Sequence, residues 1–498
     1  MRTAIAAIAA FLVGCSGNTE ADLATTAQDA TMPSASQLQI WQLSIDQFDG
    51  GLRPTGSAAD EAFIAWLVDQ LTALGVSDVH TEPYTFTRWI PTAWSLELVG
   101  GPASGSVALS GYVPYSGATP PGGLTAGLVY LPAPATLASL DPSQLRARVA
   151  ASLSAIGGVT GRIVVFDVPA ETVPLAALTG PLLYTSGGLT EATPVARLGL
   201  SAMLYVPAVL DALAAAGAVG AVGILDAPEP EARATYAPFF GTTTPDLPAV
   251  YVDRATGAGM LDALDARPLQ LAHLTLDATL APATSENVVG VIPGVRLDQE
   301  ILLSSHTDGP NSLEDNGPVG ILALASYFLQ LPQAQRPRTI RIVLTGGHFV
   351  GSRGILDYAA VHLAELRAHA LAVIELEHLG ALEWDEVSPG VMAATGDVEP
   401  ELVYSWPNPP LVAASLALAR QLPRSVVAGP AVLGEGHNFG VVPLVQFLTA
   451  PNDLLVGRLP EIATQLTDYD LMRTQLLGFA QMTRSLATAP ADQLGVHP

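Results

Sequence analysis

The chain has 498 residues, 46 acidic side chains against 21 basic ones, a formal net charge of −25 and a single cysteine. Every basic residue is Arg, which excludes P-loop nucleotide chemistry and a Schiff-base nucleophile. One Cys excludes zinc fingers, iron–sulfur clusters and an internal disulfide, and the acidic balance argues against nucleic acid as a partner. With 49% hydrophobic and 13% charged residues, and about 100–200 residues per domain, two or three domains with ample core are expected. No apolar run reaches the roughly 18 residues of a spanning helix.

Arg2 followed by the apolar run Ala4 to Val13 has the layout of a signal peptide, residues 1–14. It ends in Leu12-Val13-Gly14-Cys15, which resembles the lipobox of bacterial lipoproteins. That resemblance implies acylation of Cys15, contact with a lipid bilayer through it, and a place in the bacterial cell envelope. Ser16 after the cysteine resembles the signal for the outer membrane. A polar tether, residues 15–34, follows.

Residues 35–104 read as the first part of a folded body. A helix-like pattern from Gln37 to Asp46 leads into Arg53-Pro54-Thr55-Gly56-Ser57. Ser57 and Asp60 form a capping box, Phe63, Leu67, Leu71 and Leu74 fall at helical spacing, and Gly75 is a natural stop. Val79 to Trp89 alternates as a strand. Residues 105–282 then change character, with few charges and short β-like runs such as Gly161-Arg162-Ile163-Val164 and Leu247-Pro248-Ala249-Val250-Tyr251-Val252. Helical patterns fall at Val209 to Ala216 and Arg254 to Leu264. This stretch resembles the protease-associated (PA) domain, a β-rich insert of secreted peptidases.

From 283 to 490 the pattern is α/β. Asn287 to Gly294, Ile301 to Ser305, Thr339 to Leu344 and Leu371 to Leu376 read as strands, and Val319 to Leu329 as a helix with Pro318 near its start. Alternation of this kind predicts a mostly parallel central sheet flanked by helices, with functional groups at the strand C-termini.

Five segments place metal-type ligands directly after strands. They are His306-Thr307-Asp308, Glu314-Asp315-Asn316-Gly317, Gly346-Gly347-His348-Phe349, Glu377-His378-Leu379-Gly380 and Glu435-Gly436-His437. Together with Arg53 to Ser57 and Asn287-Val288-Val289-Gly290, they give the chain its likeness to the M28 family of zinc-dependent aminopeptidases. That resemblance implies a zinc exopeptidase-like fold, a peptide substrate and one or two zinc ions. It implies His306, Asp315, Glu377 and His437 as metal ligands, with Asp315 bridging and Asp308 behind His306. Imidazole and carboxylate donors suit zinc. Strand alternation puts Glu375 and Glu377 on one face and turns His378 to the other, so Glu377 is the expected ligand and His378 a further possibility, as is Glu435 for a second ion; Glu314, beside Asp315, is a possible substitute base.

One departure stands out. The family carries a Glu-Glu pair after the strand equivalent to Ile340 to Leu344, where this chain has Gly346-Gly347-His348-Phe349. Counting without gaps puts His348 at the general base and Phe349 at a zinc ligand; an insertion or loss would make His348 the ligand instead. Two readings follow: a zinc exopeptidase with an atypical site in which His348 and Asp308 take part in catalysis, or an impaired M28-like lipoprotein that binds peptides or a partner. No G-x-S-x-G elbow and no HExxH helix is present, so serine-hydrolase and zincin chemistry are set aside.

Overall fold

The computed structural model describes residues 30–495, except 134–141, 171, 196–198, 200, 234, 238–245, 431–432 and 450–464. The expected signal peptide, Cys15 and most of the tether lie outside the described residues. No helix among the described residues is long and apolar enough to cross a membrane.

The helix Ala58–Leu74 forms where its caps predict. The Ser57 hydroxyl accepts the Asp60 N–H at 3.1 Å, and Gly75 ends the helix at φ 92°. Its Phe63, Leu67 and Leu71 are fully buried. The Asp60 carboxylate departs from the expected box by one residue, taking the N–H of Gly56 at 2.8 Å.

The strand expected at 79–89 is instead the long strand Ser77–Val99, paired antiparallel along its length with Leu271–Ile292. This ribbon joins the two halves of the molecule. At one end Leu271–Leu274 pairs with Leu124–Leu131; at the other, Val288–Ile292 pairs with Arg338–Thr345. Among the described residues the result is one 15-stranded sheet.

The segment 105–282 carries more helix than a β-rich insert implies. Its strands Leu124–Leu131, Arg162–Val168, Gly220–Leu225 and Ala249–Val252 run parallel, accompanied by the helices Pro142–Ala155, Val206–Ala215 and Arg254–Ala266. A further strand of the segment, Leu182–Thr185, pairs with Ser425–Ala428 at the other edge of the sheet.

The strands Arg338–Thr345, Arg296–His306, Ala370–Leu376 and Leu444–Thr449 lie parallel in that order. From Arg296–His306 the chain goes first to one neighbour, through the helix Gly317–Gln330, and then to the other, through Arg353–Val361 and Leu363–His369. Its C-terminus is therefore a topological switch point, where the outgoing loops diverge and open a crevice. His306 is its last residue. Gly317 lets the next helix approach: a Cβ there would lie 2.0 Å from Ser305 Oγ and 2.1 Å from the Leu376 carbonyl oxygen.

Candidate metal centre

Three loops at the switch point are shaped by their own hydrogen bonds. The Asn311 side chain accepts the N–H groups of Leu313 and Glu314, both at 3.0 Å, and turns Glu314 inward. The Asp308 carboxylate accepts from Thr55 Oγ1 at 2.7 Å and from the N–H of His348 at 3.0 Å, which fixes the start of the short helix His348–Val350. Asn316 clamps the third loop, accepting the Leu379 N–H and donating to the Leu379 carbonyl, both at 2.8 Å.

That third loop corrects the sequence expectation for His378. The strand ends at Leu376, and His378 takes φ 55°, a left-handed conformation costly for a residue with a Cβ. Alternation no longer applies past the strand end, and the ring turns into the site beside Glu377. Its Nδ1 lies 2.9 Å from the Thr449 carbonyl oxygen, and its Nε2 is 3.7 Å from Glu314 Oε1 and 3.8 Å from Glu377 Oε2. His306 is arranged alike, with Nδ1 2.9 Å from the Asp308 carbonyl oxygen and Nε2 3.9 Å from Glu314 Oε1. The main-chain carbonyl of Asp308, and not its carboxylate, therefore orients His306. With Nδ1–H donating to a carbonyl, the His306 ring directs an Nε2 lone pair inward, whereas His378 Nδ1 faces both the carbonyl and, at 3.2 Å, the N–H of Thr449.

These inward atoms lack partners. His306 Nε2, His378 Nε2, both Glu314 oxygens and Glu377 Oε1 are buried with no hydrogen bond. Orphaned buried donors and carboxylates are costly unless a cation completes them. Bonds of about 2.0–2.2 Å to one zinc ion require donor atoms about 3–4 Å apart, the separation of Glu314 Oε1 from His306 Nε2 and His378 Nε2 and of Glu377 Oε2 from His378 Nε2. His306, Glu314 and His348 also bring ligand atoms within 4.8 Å of one another. The residues fit a divalent metal.

Charge in the site is strongly perturbed. Burial, then the neighbouring Asp315 and Glu377, push the Glu314 carboxyl far above its usual range. Glu375, behind Glu377, is pushed far up by burial and by Glu377, whereas at Glu377 burial is outweighed by the facing histidines, the charged His348 among them, and its carboxyl is held low. Burial lowers His378 to about 4, so it is neutral, the form that binds metal. At His348 burial also acts downward, but Glu435, whose Oε2 lies 3.1 Å from Nδ1, outweighs it and raises the ring to about 9.

The loop expected to supply His437 supplies Glu435 instead. Glu435 is buried against His348 and Thr345, whereas His437 is exposed, its Nδ1 2.8 Å from the Gly434 carbonyl oxygen. The structure does not bring His437 to the other ligands, because two residues in so tight a turn cannot both face inward. Asp315 is buried but held by Arg53, and burial with that partner leaves it at about 6. Phe349 stands edge-on to His348 at 4.8 Å and to His306 at 6.2 Å, an apolar wall. At Gly346 a Cβ would lie 2.4 Å from the Tyr84 hydroxyl, which fills the space where a longer side chain would project.

Arg53 is the functional residue that sequence reasoning missed as a group facing the centre. A cavity of 360 Å³ is lined by Leu52, Pro54 and Ser57, from the loop that also carries Arg53 and Thr55. Its walls are Trp89, Tyr112, Tyr115 and Tyr236, with Arg88 among them.

No protein-family model matches the chain, and no curated protein sequence does. Solved structures do. The chain is similar to the peptidase M28 precursor of Shewanella amazonensis SB2B (20% identity, TM-score 0.62, covering 93% of this chain and 97% of that one). It is also similar to BSAP, a zinc aminopeptidase from Bacillus subtilis (16%, TM-score 0.58, 93% and 99%), and to an aminopeptidase from Aneurinibacillus sp. strain AM-1 (15%, TM-score 0.54, 93% and 95%). Over nearly its whole described length, the chain has the fold of the M28 peptidases and zinc aminopeptidases.

Proposed function

We propose that the protein is a metal-dependent exopeptidase of short peptides, held at the bacterial cell envelope by acylated Cys15. The observation that carries the hydrolase reading is the buried group His306, Glu314 and His348, its ligand atoms within 4.8 Å of one another, with unpaired atoms of Glu377 and His378 beside it at a topological switch point. His306 and Glu314, with Glu377 and His378 beside them, would hold zinc. When bound, the ion supplies Lewis-acid polarisation of the scissile carbonyl and a water acidified toward neutral pH.

The remaining steps belong to the chain. His348, charged through its bond to Glu435, delivers a proton from Nε2 to the departing amine. Asp308 holds the His348 backbone, and Phe349 excludes water from the two imidazoles. The aromatic cavity takes the peptide beyond the scissile bond, and Arg88 meets its C-terminal carboxylate. Tyr112, Tyr115 and Tyr236, from the PA-like insert, close that subsite.

Phe349, an apolar ring where the family resemblance implies a ligand, favours a second reading: a peptide-binding lipoprotein with an impaired centre. Metal content and turnover of aminoacyl and dipeptide substrates with added zinc decide between them. Turnover lost in His348→Ala supports the enzyme; bound zinc without turnover supports the binder, and absence of zinc removes the metal centre altogether. Radiolabelled palmitate incorporation that disappears in Cys15→Ala tests the anchor; equal labelling of both would remove it.

A further inference from the structure

Trp89 and Tyr236 are buried at the floor of the aromatic cavity, Tyr112 and Tyr115 are half-buried along its sides, and Asp49 is exposed at its mouth. The Trp89 ring lies 5.3 Å from Tyr112 between centroids, tilted by 55°, and 6.1 Å from Tyr115, tilted by 31°. Trp94 stands edge-on to Tyr112 at 4.8 Å. The volume of 360 Å³ falls among small-molecule sites, which span about 300–1,000 Å³.

Tyr115 is held in this wall against its own backbone preference. Its φ is 59°, a left-handed conformation that a bulky residue rarely takes. Among the described residues five other than glycine adopt it, and Asp49, Tyr115 and His378 are three of them, so the strain gathers at this cavity and at the metal centre. The Tyr115 loop sustains it because the chain is pinned. The N–H of Ser116 donates to the Val113 carbonyl at 3.2 Å, that of Gly117 to the Leu247 carbonyl at 3.1 Å, and that of Thr119 to the Leu276 carbonyl at 2.9 Å. A Cβ at Gly117 would lie 2.4 Å from the Leu247 nitrogen, so only glycine lets the loop lie this close. Strain that a framework over-determines in this way collects at ligand sites.

We infer that the cavity is a side-chain subsite for an aromatic residue directly after the scissile bond, with Tyr115 as the ring that selects it; the substrate class is a dipeptide ending in Phe, Tyr or Trp.

Two further observations favour this occupant. Rings with an acid at the mouth would also suit an organic cation, but the Arg88 guanidinium stands in the same wall and repels one. Arg88 spends one Nη on the Gly56 carbonyl at 2.7 Å, and the rest of its fork matches a carboxylate. A flat ring with a carboxylate beside it is what a C-terminal aromatic residue presents. The cavity also lies next to the catalytic loops. Leu52, Pro54 and Ser57 line it, whereas Thr55, between them, donates to the Asp308 carboxylate at 2.7 Å. One loop therefore separates the subsite from the group that holds the His348 backbone.

The assignment rests on the exopeptidase reading, and binding is measured apart from turnover so that the two can fail separately. The full chain, supplied with zinc, is titrated by calorimetry with uncleavable analogues of Leu-Phe and Leu-Ala whose peptide carbonyl is reduced to a methylene. The Leu-Phe analogue is expected to bind about tenfold tighter or more. Tyr115→Phe, which keeps the ring, should retain that ratio. Tyr115→Gly, which takes the left-handed backbone without strain, should reduce it about threefold or more. No binding of either analogue, equal affinities in the wild type, a ratio lost in Tyr115→Phe or a ratio unchanged in a folded Tyr115→Gly would each overturn the inference. The wild-type and Tyr115→Phe ratios decide the matter even if Tyr115→Gly does not fold. A chain that keeps the binding ratio but cleaves neither Leu-Phe nor Leu-Ala fails the exopeptidase reading and leaves the subsite standing.

Discussion

The imidazoles of His306 and His348 lie face to face, centroids 4.2 Å apart and planes 12° from parallel. The two rings have different partners. Glu435 keeps His348 charged, and His306, held through Nδ1 at a backbone carbonyl, turns its Nε2 toward Glu314. Ligand and proton carrier are thereby placed in contact.

His378→Ala should lose bound zinc and activity together, since it removes one of the two inward Nε2 donors. His437→Ala should change neither by more than about twofold, because an exposed side chain outside the cluster contributes little. Metal analysis and turnover on one aminoacyl substrate check both; a His437→Ala that loses its metal would contradict the arrangement.

Glu435→Gln removes the charge that orients and protonates His348. We expect turnover to fall by about 10–100-fold with zinc content unchanged, as for outer groups behind a catalytic residue. The descending alkaline limb of the pH–rate profile should also shift to lower pH. A profile identical to wild type would show that His348 does not carry the proton.

Gly309→Ala should destabilise the fold by about 1–3 kcal/mol, because its Cβ has no room beside Asp315 and Glu314. Denaturant unfolding measures this, and zinc affinity should fall with it.

Arg88→Met should raise KM about tenfold or more for dipeptides with a free C-terminal carboxylate, the loss expected for a charge-assisted hydrogen bond. Dipeptide amides should be unaffected. Equal losses on both would place the carboxylate elsewhere.

Glu401 gives a pH-dependent stability. Burial raises its carboxyl from 4.5 to about 7, against a hydrogen bond from Gln475 at 2.7 Å. Its folded form therefore prefers the proton, and stability falls as pH rises from the unfolded value through the folded one. Glu401→Gln, uncharged at any pH, should exceed the wild type by up to about 3 kcal/mol at pH 8. The difference should vanish near pH 4. Urea melts at the two pH values test it.

Much of the site was legible because short strands followed by His, Asp and Glu announce themselves in sequence. His306, Asp308, Glu314, Asp315, His348, Glu377 and Glu435 all lie buried around the switch point. Their roles were less legible. Two-residue alternation governs only a strand's interior, so carrying it on to His378 turned that ring the wrong way; a left-handed backbone turns it inward past the strand end. The long ribbon was missed beyond Trp89 because its partner lies nearly two hundred residues away and supplies the backbone hydrogen bonds that local alternation does not show.

Sequence by itself determined the α/β pattern, the helix caps at Ser57 and Gly75, and the loops from which ligands could come, since these depend on neighbours along the chain. Tertiary structure alone decided which side of a loop faces inward, Glu435 over His437. It alone carried Arg53 across 262 positions to Asp315. Local spacing sets where a side chain begins; only packing decides what charge stands opposite it.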